Sequence, residues 1–285
     1  MRYRIRHETI YTYAKQVDLA AHMLHLSPRR LDFQHVAQAR ITAEPPPSRT
    51  SWGVDHFGNQ VCWMFLDKPH DRFAVTVDAE VEIGFPAPPL PELTRPWETV
   101  AAEAMQAAAA EFAFASPMVP DGTGAGAYAA ASFPPARPIF AALLDLTARI
   151  NRDFAFKPGA TTVNTSVAEL LRLRAGVCQD FTHLMLAGLR AHGLPARYVS
   201  GYLRTRPMLG QPARRGADQS HAWVSAWLGV AMGWVDLDPT NNLVVQDEHV
   251  VLAWGRDYGD ISPVRGVILG GGAHSVTVGV DLEAI

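Results

Sequence analysis

The sequence predicts an α+β protein in which strands come first, helices occupy the middle and strands return towards the end. Apolar and polar residues alternate from Tyr3 to Tyr13 and from Phe73 to Ile83, the pattern of half-buried antiparallel strands. Apolar residues recur at helical spacing from Ile139 to Ile150 and again from Phe181 to Leu189. Strand-type runs follow from Arg197 onwards. Segregated strands and helices of this kind are typical of the α+β class.

Composition restricts the classes of function. The 285 residues are 48% hydrophobic and 19% charged, as in a globular protein with a sizeable core. The net charge of −3 argues against a nucleic-acid partner. The N-terminus lacks an apolar signal core, and no run approaches the roughly 18 apolar residues of a membrane span. Cys62 and Cys178 are too few for a disulfide framework, so we expect a cytoplasmic protein with reduced thiols and no membrane partner.

Three regions are predicted along the chain. Residues 1–85 should form a β-rich, sandwich-like domain. Residues 86–138 should form a connector, because five prolines between Pro86 and Pro96 cannot join a sheet ladder. Within it the alanine-rich stretch 97–115 favours a helix, and 116–138 has the composition of a loop. Residues 139–285 should form the second domain, which includes the C-terminal strands.

A cysteine stands where a helix is predicted to begin. The periodic run that follows Cys178 stops at Gly193, with Pro195 just beyond it, as at many helix C-termini. Cys178 would therefore lie beside unpaired backbone N–H groups, at the positive end of the helix dipole. That environment favours the nucleophilic thiolate. The alternative on these residues alone is a buried thiol that packs as a small hydrophobe.

A histidine and an aspartate fall on two strands further along the chain. After a polar loop from Arg204 to Ser220, His221 begins a strand run, and Asp236 and Asp238 share one face of the next run. If the two strands form a hairpin, His221 lies opposite or diagonal to Asp238. An imidazole held by a carboxylate and offered to a thiol would form a Cys-His-Asp triad. The competing interpretation is a packed core histidine and an aspartate that merely starts a turn.

Together these segments resemble a known family. They are similar in order and context to the three signature segments of the transglutaminase-like superfamily, namely Gly176 to Phe181, His221 to Val224, and Gly233-Trp234 followed by Asp238-Pro239-Thr240-Asn241. Three further segments resemble regions that flank this core in bacterial transglutaminase-like proteins, namely Leu26 to Arg29, Asp55 to Asn59 and Gly255 to Pro263. The resemblance implies a papain-like α+β core, in which the cysteine-bearing helix packs on an antiparallel sheet.

The resemblance also implies roles for three side chains. Cys178 would be the nucleophile, His221 the general base and then acid, and Asp238 the carboxylate that orients the imidazole. Asp238 is selected over Asp236 because the family's aspartate directly precedes Pro-Thr. The implied activity is amide-bond cleavage or exchange through a thioester, as a peptidase or amidase or as a transglutaminase. Nothing resembles the calcium sites of the animal cross-linking enzymes, so no cofactor is expected.

The expected substrate is a peptide or protein, with a glutamine or isopeptide-like amide as one form. Two other functions stay open: a non-catalytic binding module on the same fold, and an amine N-acyltransferase. Trp223, Asp180 and Tyr258 are candidate substrate-binding residues, although Asp180 also suits a role in capping the helix. The second donor of an oxyanion hole, besides the Cys178 backbone N–H, has no sequence signal.

Other histidines and motifs point to no further site. His22, His25 and His35 have no recognised ligand spacing, so no metal is expected there. His183 lies five residues after Cys178 and should face away from it in a structural position. GxSxG, P-loop and GxGxxG motifs are lacking in suitable context, which argues against a serine hydrolase and a nucleotide-binding protein.

Overall fold

Two antiparallel sheets, one small parallel sheet of two strands and a group of helices make up the computed structural model, which describes residues 1–204 and 219–285. The strands are β1 (Arg2–Leu24), β2 (Gln34–Glu44), β3 (Arg49–Val54), β4 (Gln60–Leu66), β5 (His70–Ile83), β6 (Ala155–Phe156), β7 (Ala175–Gly176), β8 (Ala196–Leu203), β9 (Gln219–Trp227), β10 (Trp234–Asp238), β11 (Leu243–Val244), β12 (His249–Gly255), β13 (Val264–Gly270) and β14 (His274–Ala284). The α-helices are α1 (Trp97–Ala104), α2 (Ala125–Ala129), α3 (Ile139–Asp153), α4 (Val167–Leu173) and α5 (Cys178–Arg190). The polar loop predicted from Arg204 to Ser220 lies largely outside the described residues.

The N-terminal sheet is organised around β1. Its order is β2-β5-β1-β4-β3, and β13 and β14 also pair with β1. The first half of β1 pairs with β5 and β14, and the second half, after a register shift near Val17, pairs with β4 and β13. The β-rich N-terminal region is thus as predicted. The C-terminal strands, which were predicted to belong to the second domain, pair with β1 of the N-terminal sheet instead. Their alternating pattern identifies strands but cannot identify a partner at the other end of the chain.

The connector differs from its prediction in two places. The helix predicted over 97–115 ends at Ala104, after which Ala110–Ala113 form a short 3-10 turn that buries Phe112. Alanine favours helix only weakly, and tertiary packing decides where such a helix ends. The predicted loop 116–138 contains helix α2, whose backbone lies so close to α5 that a Cβ on Gly126 would stand 2.7 Å from the Cβ of Ala191.

The core domain places α5 against the second sheet, of order β11-β10-β9-β8-β12. Every residue from Asp180 to Arg190 is buried, because the sheet covers one side of α5 and helices α2, α3 and α4 contact the other. α4 starts with a capping box, in which the Ser166 side chain accepts from the Glu169 N–H and the Glu169 carboxylate accepts from the Ser166 N–H. The predicted cysteine helix on an antiparallel sheet is confirmed.

The two sheets share a hydrophobic cluster. Tyr3 and Ile5 of β1 pack with Tyr202 of β8 and with Val250 and Leu252 of β12. The N-terminal sheet is therefore fixed against the core sheet, on the side where β8 and β12 lie. Across the two described ranges, no helix combines the length and apolar character that crossing a membrane requires.

Candidate active site

The start of α5 is held by a buried carboxylate. Asp180, which is 4% exposed, accepts hydrogen bonds from the Val177 backbone N–H (2.8 Å) and the Thr161 hydroxyl (2.6 Å). Residue 176 has to be glycine, since a Cβ there would lie 2.7 Å from the Asp180 carboxylate. Burial raises the pKa of Asp180, against the opposing effect of these two hydrogen bonds. The half-buried Cys178 is thereby fixed as the first residue of α5.

The hairpin of β9 and β10 brings His221 to Asp238. The strand register pairs Leu237 with Val224. Asp238, the next residue on β10, therefore lies diagonally opposite His221 on the same face of the sheet. The His221 Nε2 atom lies 2.8 Å from the Asp238 Oδ2 atom. This contact engages one ring nitrogen, and the other remains for the Cys178 thiol, with which His221 also interacts.

Asp238 accepts hydrogen bonds through both of its oxygens and is fully buried. Oδ1 accepts from the backbone N–H groups of Thr240 and Asn241 at 2.9 and 3.1 Å. Oδ2 is contacted by His221, by the Asn241 side-chain amide (2.6 Å) and by His249 Nε2 (3.3 Å). Burial alone would raise the pKa of Asp238, but the hydrogen bonds from both histidines hold it well below its ordinary value. The group is therefore a carboxylate at neutral pH.

This carboxylate changes the protonation of His221. Burial alone would lower the pKa of the imidazole, but the hydrogen bond to Asp238 and the interaction with Cys178 raise it to about 10. The carboxylate therefore favours the imidazolium form of His221 beside the thiol. An imidazolium stabilises a neighbouring thiolate, and the pair can pass a proton to a leaving group.

Cys178 and His221 open into a cavity of about 330 Å³. Tyr198 and Tyr258 also line it, and their rings make an edge-on contact at 6.2 Å. A backbone N–H donated from Tyr258 to His183 Nε2 holds the Tyr258 segment in place. His183 is thus structural, and burial lowers its pKa to about 4.

The N-terminal region and the core of the chain each match a family of known proteins. The bacterial transglutaminase-like N-terminal region matches residues 3–82, and the transglutaminase-like superfamily core matches residues 128–239. An uncharacterized protein of Mycobacterium tuberculosis is 39% identical, over 99% of this chain and 92% of its own length. The chain belongs to the transglutaminase-like superfamily.

Other relatives of this transglutaminase-like protein are more distant. An uncharacterized protein of Mycobacterium leprae is 32% identical over 100% of this chain and 99% of its own length. A protein-glutamine gamma-glutamyltransferase of Pseudomonas aeruginosa is 32% identical over 39% of this chain, which corresponds to 18% of that protein. The solved structure of a candidate cysteine protease from Cytophaga hutchinsonii has the same fold, with a TM-score of 0.75, 22% identity and coverage of 99% of this chain and 90% of its own.

Of the three predicted substrate-binding residues, one lines the cavity and two do not. Tyr258 lines the cavity. Asp180 caps α5 and does not line the cavity. Trp223 is fully buried, donates its indole N–H to Asp236 (2.9 Å) and packs with Val199. The predicted cleft position of Trp223 was wrong, because its ring lies over Gly201, where a Cβ would be 2.4 Å from the ring.

Two contacts to Asp238 were missed by sequence reasoning. Asn241 belongs to the quoted Asp-Pro-Thr-Asn segment, so its position near Asp238 had a local signal. His249 had none: it is one histidine on β12, at the far end of the sheet order from β10, and it reaches Asp238 because the sheet curls. Its Nδ1 atom is buried without a hydrogen-bond partner among the described residues.

One group of described side chains has the spacing of a metal site. The possible ligand atoms of His221, Asp238 and His249 lie within 4.8 Å of one another. Two imidazoles and a carboxylate are donors that zinc accepts. The hydrogen bonds that both rings make to Asp238 account for this spacing on their own. Of the N-terminal histidines, His22 stacks on Phe73 and His25 contacts Asp55, so each is engaged in packing or pairing.

Proposed function

We propose that this chain is a cysteine-dependent acyl-transfer enzyme that cleaves or exchanges amide bonds through a thioester on Cys178. The observation that supports this most is His221, which contacts a buried carboxylate at 2.8 Å and interacts with a thiol at the N-terminus of α5. A packed core histidine would need neither partner. The transglutaminase-like superfamily, to which the chain belongs, is generally enzymatic.

The proposed chemistry takes two steps. The Cys178 thiolate attacks the amide carbon, and the C–N bond breaks while the nitrogen takes a proton from the His221 imidazolium and leaves as ammonia or an amine. His221, now neutral, takes a proton from the acceptor, which attacks the thioester and releases Cys178. Asp238 holds the ring orientation and stabilises the imidazolium in both steps.

The developing oxyanion needs two donors. Cys178 supplies its backbone N–H at the N-terminus of α5, where the helix dipole favours negative charge. We propose the Tyr198 hydroxyl as the second donor, because Tyr198 lines the same cavity as Cys178. Burial raises the pKa of Tyr198, so the hydroxyl keeps its proton.

The acceptor decides the type of enzyme. Water gives a peptidase or amidase, and a primary amine gives a transglutaminase. The similarity to a protein named as a protein-glutamine gamma-glutamyltransferase supports an amine acceptor and a glutamine acyl donor. A reducing compartment suits a working thiol, and a cytoplasmic location stays a prediction.

The test measures both outcomes with one N-blocked glutamine peptide. We expect ammonia release by the wild type, and incorporation of a fluorescent primary amine if transamidation competes with hydrolysis. Cys178→Ala should abolish both, whereas Cys62→Ala should retain them, because Cys62 is fully buried in the N-terminal sheet. Equal turnover by wild type and Cys178→Ala would refute the proposal and favour a binding module.

A further inference from the structure

The cavity at Cys178 is not made by the core domain alone. On one side it is lined by Cys178 at the start of α5 and by residues of β8 and β9. On the other side it is lined by β1 and β14, the first and last strands of the chain. An acyl group that occupies this cavity would therefore lie between the core domain and the N-terminal sheet.

The register of β1 and β14 shows how that wall is built. Thr9 pairs with Val278 and Tyr11 pairs with Val276, and paired residues project on the same face of a sheet. Thr9 is 4% exposed, whereas Val276 and Val278 are 47% and 50% exposed although they line the cavity. The wall thus combines hydroxyl groups on β1 with half-exposed valines on β14.

The described part of the cavity lining contains no Asp, Glu, Lys or Arg. Its titratable members are His7, Tyr11, Cys178, Tyr198, His221 and Tyr258. Burial lowers the pKa of His7 to about 4 and raises that of Tyr11 to about 12, so both are neutral at pH 7. The described residue of this lining whose surroundings favour a charge is His221, beside the Asp238 carboxylate.

We propose that β1 and β14 form the acyl-side specificity wall of the enzyme and select donors whose side chain next to the reacting carbonyl is uncharged. The inference rests on the proposed function and adds the substrate class. The described lining offers no counter-charge here, so a charged side chain held against Val276 and Val278 would lose part of its hydration without gaining an ion pair. An amide or apolar side chain has no such cost, and the Thr9 hydroxyl, which hydrogen-bonds His7 Nε2 at 2.6 Å, keeps a second hydrogen-bonding position for an amide. A volume of about 330 Å³ is near the lower end for ligand cavities, which fits one such side chain with its adjoining main chain.

The test uses three peptidyl chloromethyl ketones that differ only in the residue at the reacting carbonyl, which is Gln, Lys or Glu. The thiolate displaces chloride, so intact mass gives the rate at which Cys178 is alkylated. We expect the wild type to react about tenfold faster with the Gln reagent than with either charged reagent. In Val278→Asp, the rate ratio of Lys to Gln reagent should rise about tenfold, and Val278→Lys should favour the Glu reagent in the same way.

A matched control is available on the same sheet. Val267 on β13 is 77% exposed and does not line this cavity, so Val267→Asp adds the same charge elsewhere. We expect its three rates to equal those of the wild type. Wild-type rates that are the same for all three reagents, or a Val278→Asp profile that matches that of Val267→Asp, would overturn the specificity wall and leave the nucleophile intact. Failure of every reagent to label Cys178 in the wild type would instead overturn the proposed function, and the specificity wall with it.

Discussion

At the residue scale, one carboxylate oxygen of Asp238 is shared by His221, His249 and Asn241. Three hydrogen-bonding partners fix the position of this oxygen, so the orientation of the His221 ring follows from it. Asp238 and the two histidines are buried, which strengthens the interactions among them relative to water.

Asp238→Asn should remove the negative charge of this side chain and keep its size and shape. Removing the negative charge takes away the main cause that raises the pKa of His221, which should fall from about 10 towards its ordinary value of 6.5. NMR titration of the histidine ring protons measures this shift. Turnover should fall by about 10³ to 10⁴, because the amide holds the wrong tautomer. An unchanged His221 titration would contradict the assigned pairing.

His249→Phe should leave packing intact and remove one donor to Asp238. The His249 ring meets Trp223 edge-on at 5.1 Å, a contact that phenylalanine can keep. We expect kcat to fall about tenfold with little change in KM, the size expected from one hydrogen bond to a charged group. His249→Gln, which restores a donor, should recover part of the loss. A change confined to stability, with kcat unaltered in both variants, would assign His249 a purely structural role.

Sequence reasoning found those contacts that are local or belong to a motif. Cys178, His221 and Asp238 lie in three short segments whose residue types and order carry a signal. His249 and the wall residues Val276 and Val278 carry no such signal, because curling of one sheet and pairing of β14 with β1 bring them to the site. Contacts of this kind depend on long-range strand pairing, which periodicity does not encode.

At the element scale, the position of Cys178 depends on how α5 begins. Val177 has no side-chain acceptor to cap the helix, and the Asp180 carboxylate accepts the Val177 backbone N–H instead. The bond from Thr161 ties the same carboxylate to the segment before α4.

Asp180→Ala should therefore destabilise the protein by about 1–2 kcal/mol, the usual effect of losing a cap. Urea unfolding measures this difference. The matched variant is Ser166→Ala, which removes the cap of α4 and should cost a similar free energy. We expect only Asp180→Ala to slow alkylation of Cys178 as well. Equal alkylation rates in the two variants would show that the cap does not position the thiol.

Helix boundaries were less predictable than helix identity. The prediction of helices at Ile139 and at Cys178 matches α3 and α5, whose apolar periodicity is strong. The alanine-rich connector had no comparable periodicity, so its sequence did not indicate that helix α1 ends at Ala104. Local propensity is a weak guide where an amphipathic pattern is lacking.

At the scale of the whole molecule, β1 joins the two ends of the chain and packs on the core sheet. It carries His7 and His22, which are buried, and α5 carries the buried His183. Burial lowers the pKa of each of these three imidazoles from 6.5 to about 4. Protonation of these histidines in acid therefore destabilises both the N-terminal sheet and helix α5.

Stability should fall as the pH drops from 6.5 towards 4. In the unfolded chain these histidines bind protons below pH 6.5, whereas in the folded protein they stay neutral until about pH 4. Each can cost up to about 2 kcal/mol by pH 5. Urea midpoints across this range measure the loss, and His22→Phe, which keeps the ring stack on Phe73, should reduce the slope. A free energy of unfolding that is flat from pH 7 to 4.5 would contradict this assignment.

The central claim is that Cys178 carries the acyl group, and rapid acid quenching during turnover of an amide substrate tests it most directly. Intact mass should show the protein plus the acyl group minus the leaving amine, and peptide mapping should place the adduct on Cys178. His221→Ala should lower its rate of formation by at least about a hundredfold. Substrate turnover without an adduct on Cys178, or with an adduct that persists in Cys178→Ala, would contradict the account.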